Sequence, residues 1–156
     1  MDEKRLSRFA WKAPISGIAR YCAGDVAGER GDRQGKLRGV RPGGIDQWLE
    51  HWADDLDFQG VNPGDERPIH GKDGLRAHIQ EWIDTFDDFG FDAVELFDAG
   101  PDTVVSFERF GGRARISGVE ADQVFGVVFT IRDGKIAACR EYATTHEALE
   151  AAGLRE

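Results

Sequence analysis

The sequence predicts an α+β domain, a curved antiparallel sheet with its helices placed ahead of it in the chain. Three observations predict it. Apolar residues recur at helical spacing twice before residue 87, and the period changes to two from Phe89 onward. The segments after that point are joined by short turns containing glycine and aspartate.

In order, Ile45, Trp48, Leu49 and Trp52 fall at i, i+3, i+4 and i+7, one apolar stripe of a short helix. Asp54-Asp55 ends it, and Asn62-Pro63-Gly64 marks a loop. Leu75, Ile79, Trp82, Ile83 and Phe86 repeat the stripe on a second helix over about 73–87. Strands are expected at 91–98, 102–110, 113–132 (bent near Ser117-Gly118) and 135–143. Ala99-Gly100-Pro101-Asp102 reads as a turn, and Gly111-Gly112 and Asp133-Gly134 have the composition of tight hairpins. Thr144 and Glu147 have capping-box spacing, so a last helix runs to residue 152 with Gly153 as its stop. Gly118 and Gly126 allow the long strands to bend. A bent sheet with helices on its concave side encloses a cone, which is a pocket architecture.

The chain changes character at Arg41-Pro42-Gly43-Gly44. Residues 1–44 hold ten Lys/Arg, five Asp/Glu and eight glycines, whereas residues 45–156 hold ten Lys/Arg and 24 Asp/Glu. One acidic domain is therefore expected over 45–156, behind a poorly patterned basic segment. A 40% hydrophobic and 31% charged composition describes a soluble globular chain, long enough to bury a real core. No apolar run approaches the roughly 20 residues of a bilayer span, and Lys12 and Pro14 interrupt the one apolar stretch a leader would need. Cys22 and Cys139 form no CxxC, which fits a reducing compartment, and a cytoplasmic location is expected. The acidic body disfavours nucleic acid as a partner.

Three stretches carry a family resemblance. Ile45-Asp46-Gln47-Trp48-Leu49 with Ala53-Asp54-Asp55 resembles a helix of the nuclear transport factor 2-like superfamily. His70-Gly71-Lys72-Asp73-Gly74-Leu75 resembles the start of its next helix. Asp133-Gly134-Lys135-Ile136, Arg140-Glu141-Tyr142 and Glu147-Ala148-Leu149 resemble the last hairpin and tail of its SnoaL-like, polyketide cyclase-like branch. The resemblance covers roughly 45–154 in the right order. It implies a cystatin-like cone, a small hydrophobic or polyketide-like ligand, and a homodimer formed through the outer sheet face. It does not fix function, because the superfamily includes cyclases, isomerases, hydrolases, dehydratases and non-catalytic binding modules.

That family has an amphipathic first helix just before the position of Gly43. Residues 28–40 here contain four glycines, each costing about 1 kcal/mol relative to alanine in a helix, and only Leu37 and Val40 are apolar. The first helix is thus lost or mis-framed. Synonymous codons exist for residues 25–40 that, read one base later, spell Met-Ser-Gln-Glu-Asn-Val-Glu-Ile-Val-Arg-Glu-Ser-Phe-Glu-Ala-Phe, a family-like opening with helical apolar spacing. A frame error closing between Val40 and Gly43 accounts for this, with residues 1–24 upstream of the true start. The alternative is a flexible basic arm.

Site candidates follow from the strand over 122–131, which alternates Gln123, Phe125, Val127, Phe129 and Ile131 on one face. The resemblance turns that face toward the pocket, with Trp52, Trp82, Phe125, Val127 and Phe129 as substrate-binding residues; plain core packing is the alternative. It also implies a carboxylic acid at the position of Val127 and a base carboxylate near Gly60 in ketosteroid isomerases, and neither is present. Proton transfer then falls to His70, whose imidazole titrates near neutrality, or to Glu141, a carboxylate of the kind whose proton affinity burial raises. Gln123 is a neutral orienting group. A backbone-bonded His70 and a surface-paired Glu141 are the competing readings. His51, His70, His78 and His146 lack metal-ligand spacing, and there is no phosphate loop or dinucleotide fingerprint, so neither metal nor cofactor is expected. An acid–base isomerase, cyclase or hydratase and a non-catalytic binding module both fit. Two or more titratable groups converging in the pocket would favour the enzyme.

The frame hypothesis has a direct test in the coding DNA, where codons at 25–40 unable to yield the helical string would refute it. A missing helix with three to five buried apolar side chains, at about 1.5–3 kcal/mol each, removes an amount comparable to a domain's net stability. The chain as written should therefore melt well below its frame-restored counterpart.

Overall fold

The computed structural model describes residues 45–61 and 67–154. Segment 1–44, on which the expectation of a lost or mis-framed first helix falls, and the Asn62-Pro63-Gly64 loop lie outside the described residues. The described chain runs α1 (Ile45–Leu49), β1 (Trp52–Gln59), β2 (Ile69–His70), α2 (Gly71–Thr85), β3 (Phe86–Asp98), β4 (Thr103–Ala114), β5 (Glu120–Arg132), β6 (Lys135–Tyr142), α3 (Thr145–Ala151). The strands form one sheet in the order β2-β1-β6-β5-β4-β3. Every pairing is antiparallel except β1 with β6, which is parallel, so the expected α+β curved sheet is a mixed one. No described helix is long and apolar enough to cross a membrane.

Two corrections concern elements. The first helix is only five residues long, and Trp52, expected on its stripe, begins strand β1. Residues 54–59 look unlike a strand because three aspartates fall in eight residues. Leu56 and Phe58 point inward, while Asp54, Asp55 and Asp57 face solvent and pair with Lys72, Arg132 and His70. The second correction is Gly111-Gly112, which is no hairpin. Both glycines lie inside β4, opposite Asp122 and Ala121, and the chain turns instead around Ser117-Gly118, where Gly118 has φ 71°. The Asp133-Gly134 turn does carry positive φ at both residues, as a two-residue hairpin requires.

Gly111-Gly112 serves a bulge in β3. Asp87 pairs with Arg113 but Gly90 with Gly111, so β3 carries one extra residue there, with Asp88 at φ 55°. The bulge turns Phe86 and Phe89 toward the same cavity. A side chain at Gly112 would lie 3.0 Å from Phe86 Cβ and 3.3 Å from Phe89 Cα, so glycine gives the bulge its room. A second shift between Ala93 and Glu95 and others in β1 and at Thr130/Ile131 help curl the sheet.

The two faces of the sheet pack against different partners. On the concave side Val104, Val127, Phe129 and Ile131 meet Leu75, Ile79 and Ile83 of α2 together with Trp48 and Trp52. On the other side Phe97 and Val105 meet Ala148 and Leu149 of α3 and Leu154 beyond it. Helix α3 starts with the expected capping box, in which Thr144 Oγ1 accepts from the Glu147 N–H and the Glu147 carboxylate accepts from the Thr144 N–H. It thereby covers part of the outer apolar face.

The closest approach is at Gly126. A Cβ there would lie 2.4 Å from Ala148 Cβ and 2.9 Å from the Thr144 carbonyl oxygen. Gly126→Ala should therefore destabilise the fold by about 1–3 kcal/mol, the usual cost of overpacking, read as a lower urea midpoint at unchanged slope. Adding Ala148→Gly should restore part of the loss but not all, because the Thr144 carbonyl still crowds the new methyl.

Candidate functional site

Strand β5 is the floor of a cavity of about 280 Å³ on the concave side. Its alternation turns Phe125, Val127 and Phe129 inward, with Val127 and Phe129 buried. The neighbouring strands each place one carboxylate in the wall. Glu108 of β4 is in register with Phe125, and Glu141 of β6 is in register with Val127. Residues paired in register share a face, so the two acids stand on opposite sides of the same floor. Glu108 is 5% exposed and Glu141 is half-buried. Cys139 and Phe58 continue the wall toward β1.

Helix α2 supplies the facing side with His78, Ile79 and Trp82, and Trp48 and Trp52 close the inner end. The Trp82 indole N–H donates to His78 Nε2 at 3.3 Å, so in the neutral ring the proton sits on Nδ1. The His78 ring also lies 5.2 Å from that of Phe58. Trp82 is near-parallel to Phe86 (5.5 Å, 14°) and to Phe89 (6.2 Å, 19°), and Phe110 meets it edge-on at 5.1 Å. Such offset and edge-on pairs hold a rigid aromatic wall. Exposure rises toward Gln123 and Val61, which mark the open side.

The structure brings most of the sequence-predicted residues together. Gln123, Glu141, Trp52, Trp82, Phe125, Val127 and Phe129 all line this cavity. His70 does not. It belongs to a two-residue strand at the sheet edge, in register with Asp57, with its side chain 73% exposed and its Nδ1 in contact with the Asp57 carboxylate. Asp122, the neighbour of Gln123, accepts two hydrogen bonds of 2.6 and 2.7 Å from Arg109 outside the cavity.

Two residues escaped the sequence reading. His78 was weighed only for metal spacing, yet it lies one residue before Ile79 and one turn before Trp82, on the edge of the apolar stripe. Glu108 shares the phase of Val104, Ser106 and Phe110 along β4, but in the sequence Val104 and Val105 mark both phases equally, and only the structure shows that this one faces the cavity. A glutamate on an inward phase is a signal worth weighing in its own right.

Comparison with known proteins agrees with this geometry. A family model described as a SnoaL-like domain matches residues 36–139, roughly two-thirds of the chain. Among solved structures, an NTF2-like protein of unknown function from Burkholderia pseudomallei matches with TM-score 0.65 at 14% identity, covering 90% of this chain and 97% of its own. The Mycobacterium tuberculosis protein RV0760c, in complex with estradiol-17beta-hemisuccinate, matches with TM-score 0.62 at 17% identity, covering 84% and 94%. TerC, co-crystallised with polyporic acid, matches with TM-score 0.63 at 17% identity, covering 91% and 99%. At these identities the likeness is one of fold. A search of curated proteins finds no significant match.

The Arg109–Asp122 pair gives a pH prediction. The hydrogen bonds from Arg109 hold the Asp122 carboxyl below its usual range, and the same contact raises Arg109. A depressed carboxylate contributes stability above its unfolded pKa and loses it as pH falls through the lower folded value. Asp122→Asn should thus lose a small, salt-sensitive stability that is constant from neutrality down to about pH 4, the unfolded carboxylate pKa, and vanishes below it. Acid titrations of both proteins at two ionic strengths measure this. Because the pair lies outside the cavity, ligand binding there should not change.

Proposed function

The chain belongs to the SnoaL-like domain family, and on that premise we propose that it binds a small, largely apolar molecule in this cavity and moves a proton on it with its own side chains. One observation carries the reading. His78, Glu108 and Glu141 arrive from three separate elements, α2, β4 and β6, and line one aromatic cavity. A plain core would be filled there by apolar side chains, since buried acids are costly to fold around. The complexes of RV0760c with estradiol-17beta-hemisuccinate and of TerC with polyporic acid support a ligand pocket in this fold.

In this proposal His78 carries the proton, since it is the imidazole among the described lining residues. Its ring is oriented by the Trp82 N–H, which must yield Nε2 when a substrate enters. Gln123, on the open side, donates an amide N–H to an oxygen on which charge develops. Glu141 orients the substrate from the far side of the floor. The ketosteroid-isomerase arrangement does not apply, since Val127 holds the position where the family resemblance implies a carboxylic acid. That same substitution, together with the engaged His78 Nε2, favours the second reading, a non-catalytic binding module.

Proton abstraction from 5-nitrobenzisoxazole, a small flat molecule that reports general bases in apolar sites, separates the two. Catalysis above buffer that falls about 100-fold or more in His78→Ala, with little change in melting temperature, fits the enzyme reading. Binding of the probe without turnover fits the binding module. A dimer is also proposed, formed by the part of the outer sheet face that α3 leaves open, where Val124 is 48% exposed. Sedimentation velocity should show a dimer at micromolar concentration, and a clean monomer would contradict it.

A further inference from the structure

We infer that the molecule this cavity takes is a flat aromatic of no more than two fused rings, seated with its rings inward and its polar substituent at the open side. The inference rests on the proposed reading of the cavity as a ligand site and names the size and class of its ligand.

Volume sets the size. The cavity holds about 280 Å³. An apolar cavity of about 150 Å³ takes one benzene molecule, so by carbon count naphthalene needs about 250 Å³ and phenanthrene about 350 Å³. The space here lies between the two. Its inner end does not yield. Trp48 and Trp52 are 3% and 1% exposed there, and the Trp52 ring packs on those of Trp48, Phe58 and Phe129 with centroids 5.2, 6.3 and 6.4 Å away. Interiors packed in this way have low compressibility, so a third ring would have to stay at the open side, in water.

The walls set the shape. Trp82, Phe86, Phe89 and Phe110 form one packed aromatic group, with centroids 5.1 to 6.2 Å apart. An aromatic guest gains on such walls beyond the area it buries, through offset and edge-on contacts that a saturated ring cannot make. A puckered ring system of the same skeleton is also thicker, and fixed walls fit it less well. Polarity fixes the orientation. Gln123 is exposed at the open side, where its amide can donate to or accept from a hydroxyl or carbonyl. The inner end meets the guest with two tryptophan rings, so its hydrocarbon belongs there.

Calorimetric titration of the full chain with phenol, 2-naphthol and 2-phenanthrol tests the size, and decahydro-2-naphthol tests the flatness. 2-Naphthol should bind at least tenfold more tightly than phenol. 2-Phenanthrol should gain no more than twofold over 2-naphthol, although its third ring adds apolar surface that water would expel. Decahydro-2-naphthol should bind at least threefold more weakly than 2-naphthol. In Trp48→Ala, which lengthens the inner end, 2-phenanthrol should bind at least fivefold more tightly than 2-naphthol. The series on the unaltered chain stands even if that variant fails to fold. A 2-naphthol gain below tenfold, a 2-phenanthrol gain above twofold, a saturated alcohol within threefold of 2-naphthol, or a folded Trp48→Ala with the original ranking overturns the two-ring aromatic and leaves the ligand pocket standing. No saturable binding of any of the four up to its solubility overturns both.

Discussion

At Gly126 the outer face of the sheet touches α3 so closely that a Cβ would meet Ala148 Cβ at 2.4 Å, and this contact fixes the phase of β5. Strand side chains alternate, so a one-residue slip would exchange the two faces completely. With Gly126 held outward beneath α3, the odd residues Phe125, Val127 and Phe129 must face inward. Register then carries the choice across the sheet, because Glu108 sits opposite Phe125 and Glu141 opposite Val127. A packing contact on the far side of the sheet from the cavity thus decides that both acids enter it. The capping box at Thr144 and Glu147 holds the first turn of the same helix in place.

Curvature is the second requirement, and it comes from irregularity in the pairing. The bulge at Asp88 lets Phe86 and Phe89 join Trp82 and Phe110 on the open side, a grouping that regular alternation would forbid for residues three apart. Gly112 makes room for it. The aromatic wall and the bend of the sheet are therefore one feature, and both depend on a glycine pair that carries no side chain of its own.

Much of this was legible in the sequence for identifiable reasons. Helix α2, strands β3 to β6 and the capped α3 announce themselves by long runs of consistent period, and periodicity is the strongest local signal. Alternation along β5 offers two sets, and the family resemblance is what points to the one with Gln123, Val127 and Phe129, residues that line the cavity in the structure. Strand β1 was hidden because aspartate is a poor strand former, and here its carboxylates are held by Lys72, Arg132 and His70, contacts that only the folded sheet assembles. Gly111-Gly112 misled for a related reason: a glycine pair marks a hairpin or a close approach, and only the facing strand tells which. His70 drew attention as a histidine at a helix start. Its edge strand turns it to solvent, and His78, eight residues on, lines the cavity instead.

The polar content of the concave face sets this cavity apart from an ordinary core. Along β4 the inward phase reads Val104, Ser106, Glu108, Phe110. Ser106 is fully buried with no hydrogen-bond partner for its hydroxyl, and Glu108 follows at 5% exposure. An apolar residue at Ser106 would pack against Val127, its register partner, and stabilise the sheet, since an unsatisfied buried polar group costs about 1–3 kcal/mol. Neighbouring positions show no such economy, because Val104, Val127 and Phe129 fill their space with hydrocarbon. Local conflicts between sequence and packing concentrate where a fold serves function. Here the conflict is confined to the strip between Ser106 and Glu141 that crosses the floor of the cavity. Glu108 and Glu141 flank that floor beneath His78 and three tryptophans, so the cavity wall combines polar groups with hydrocarbon.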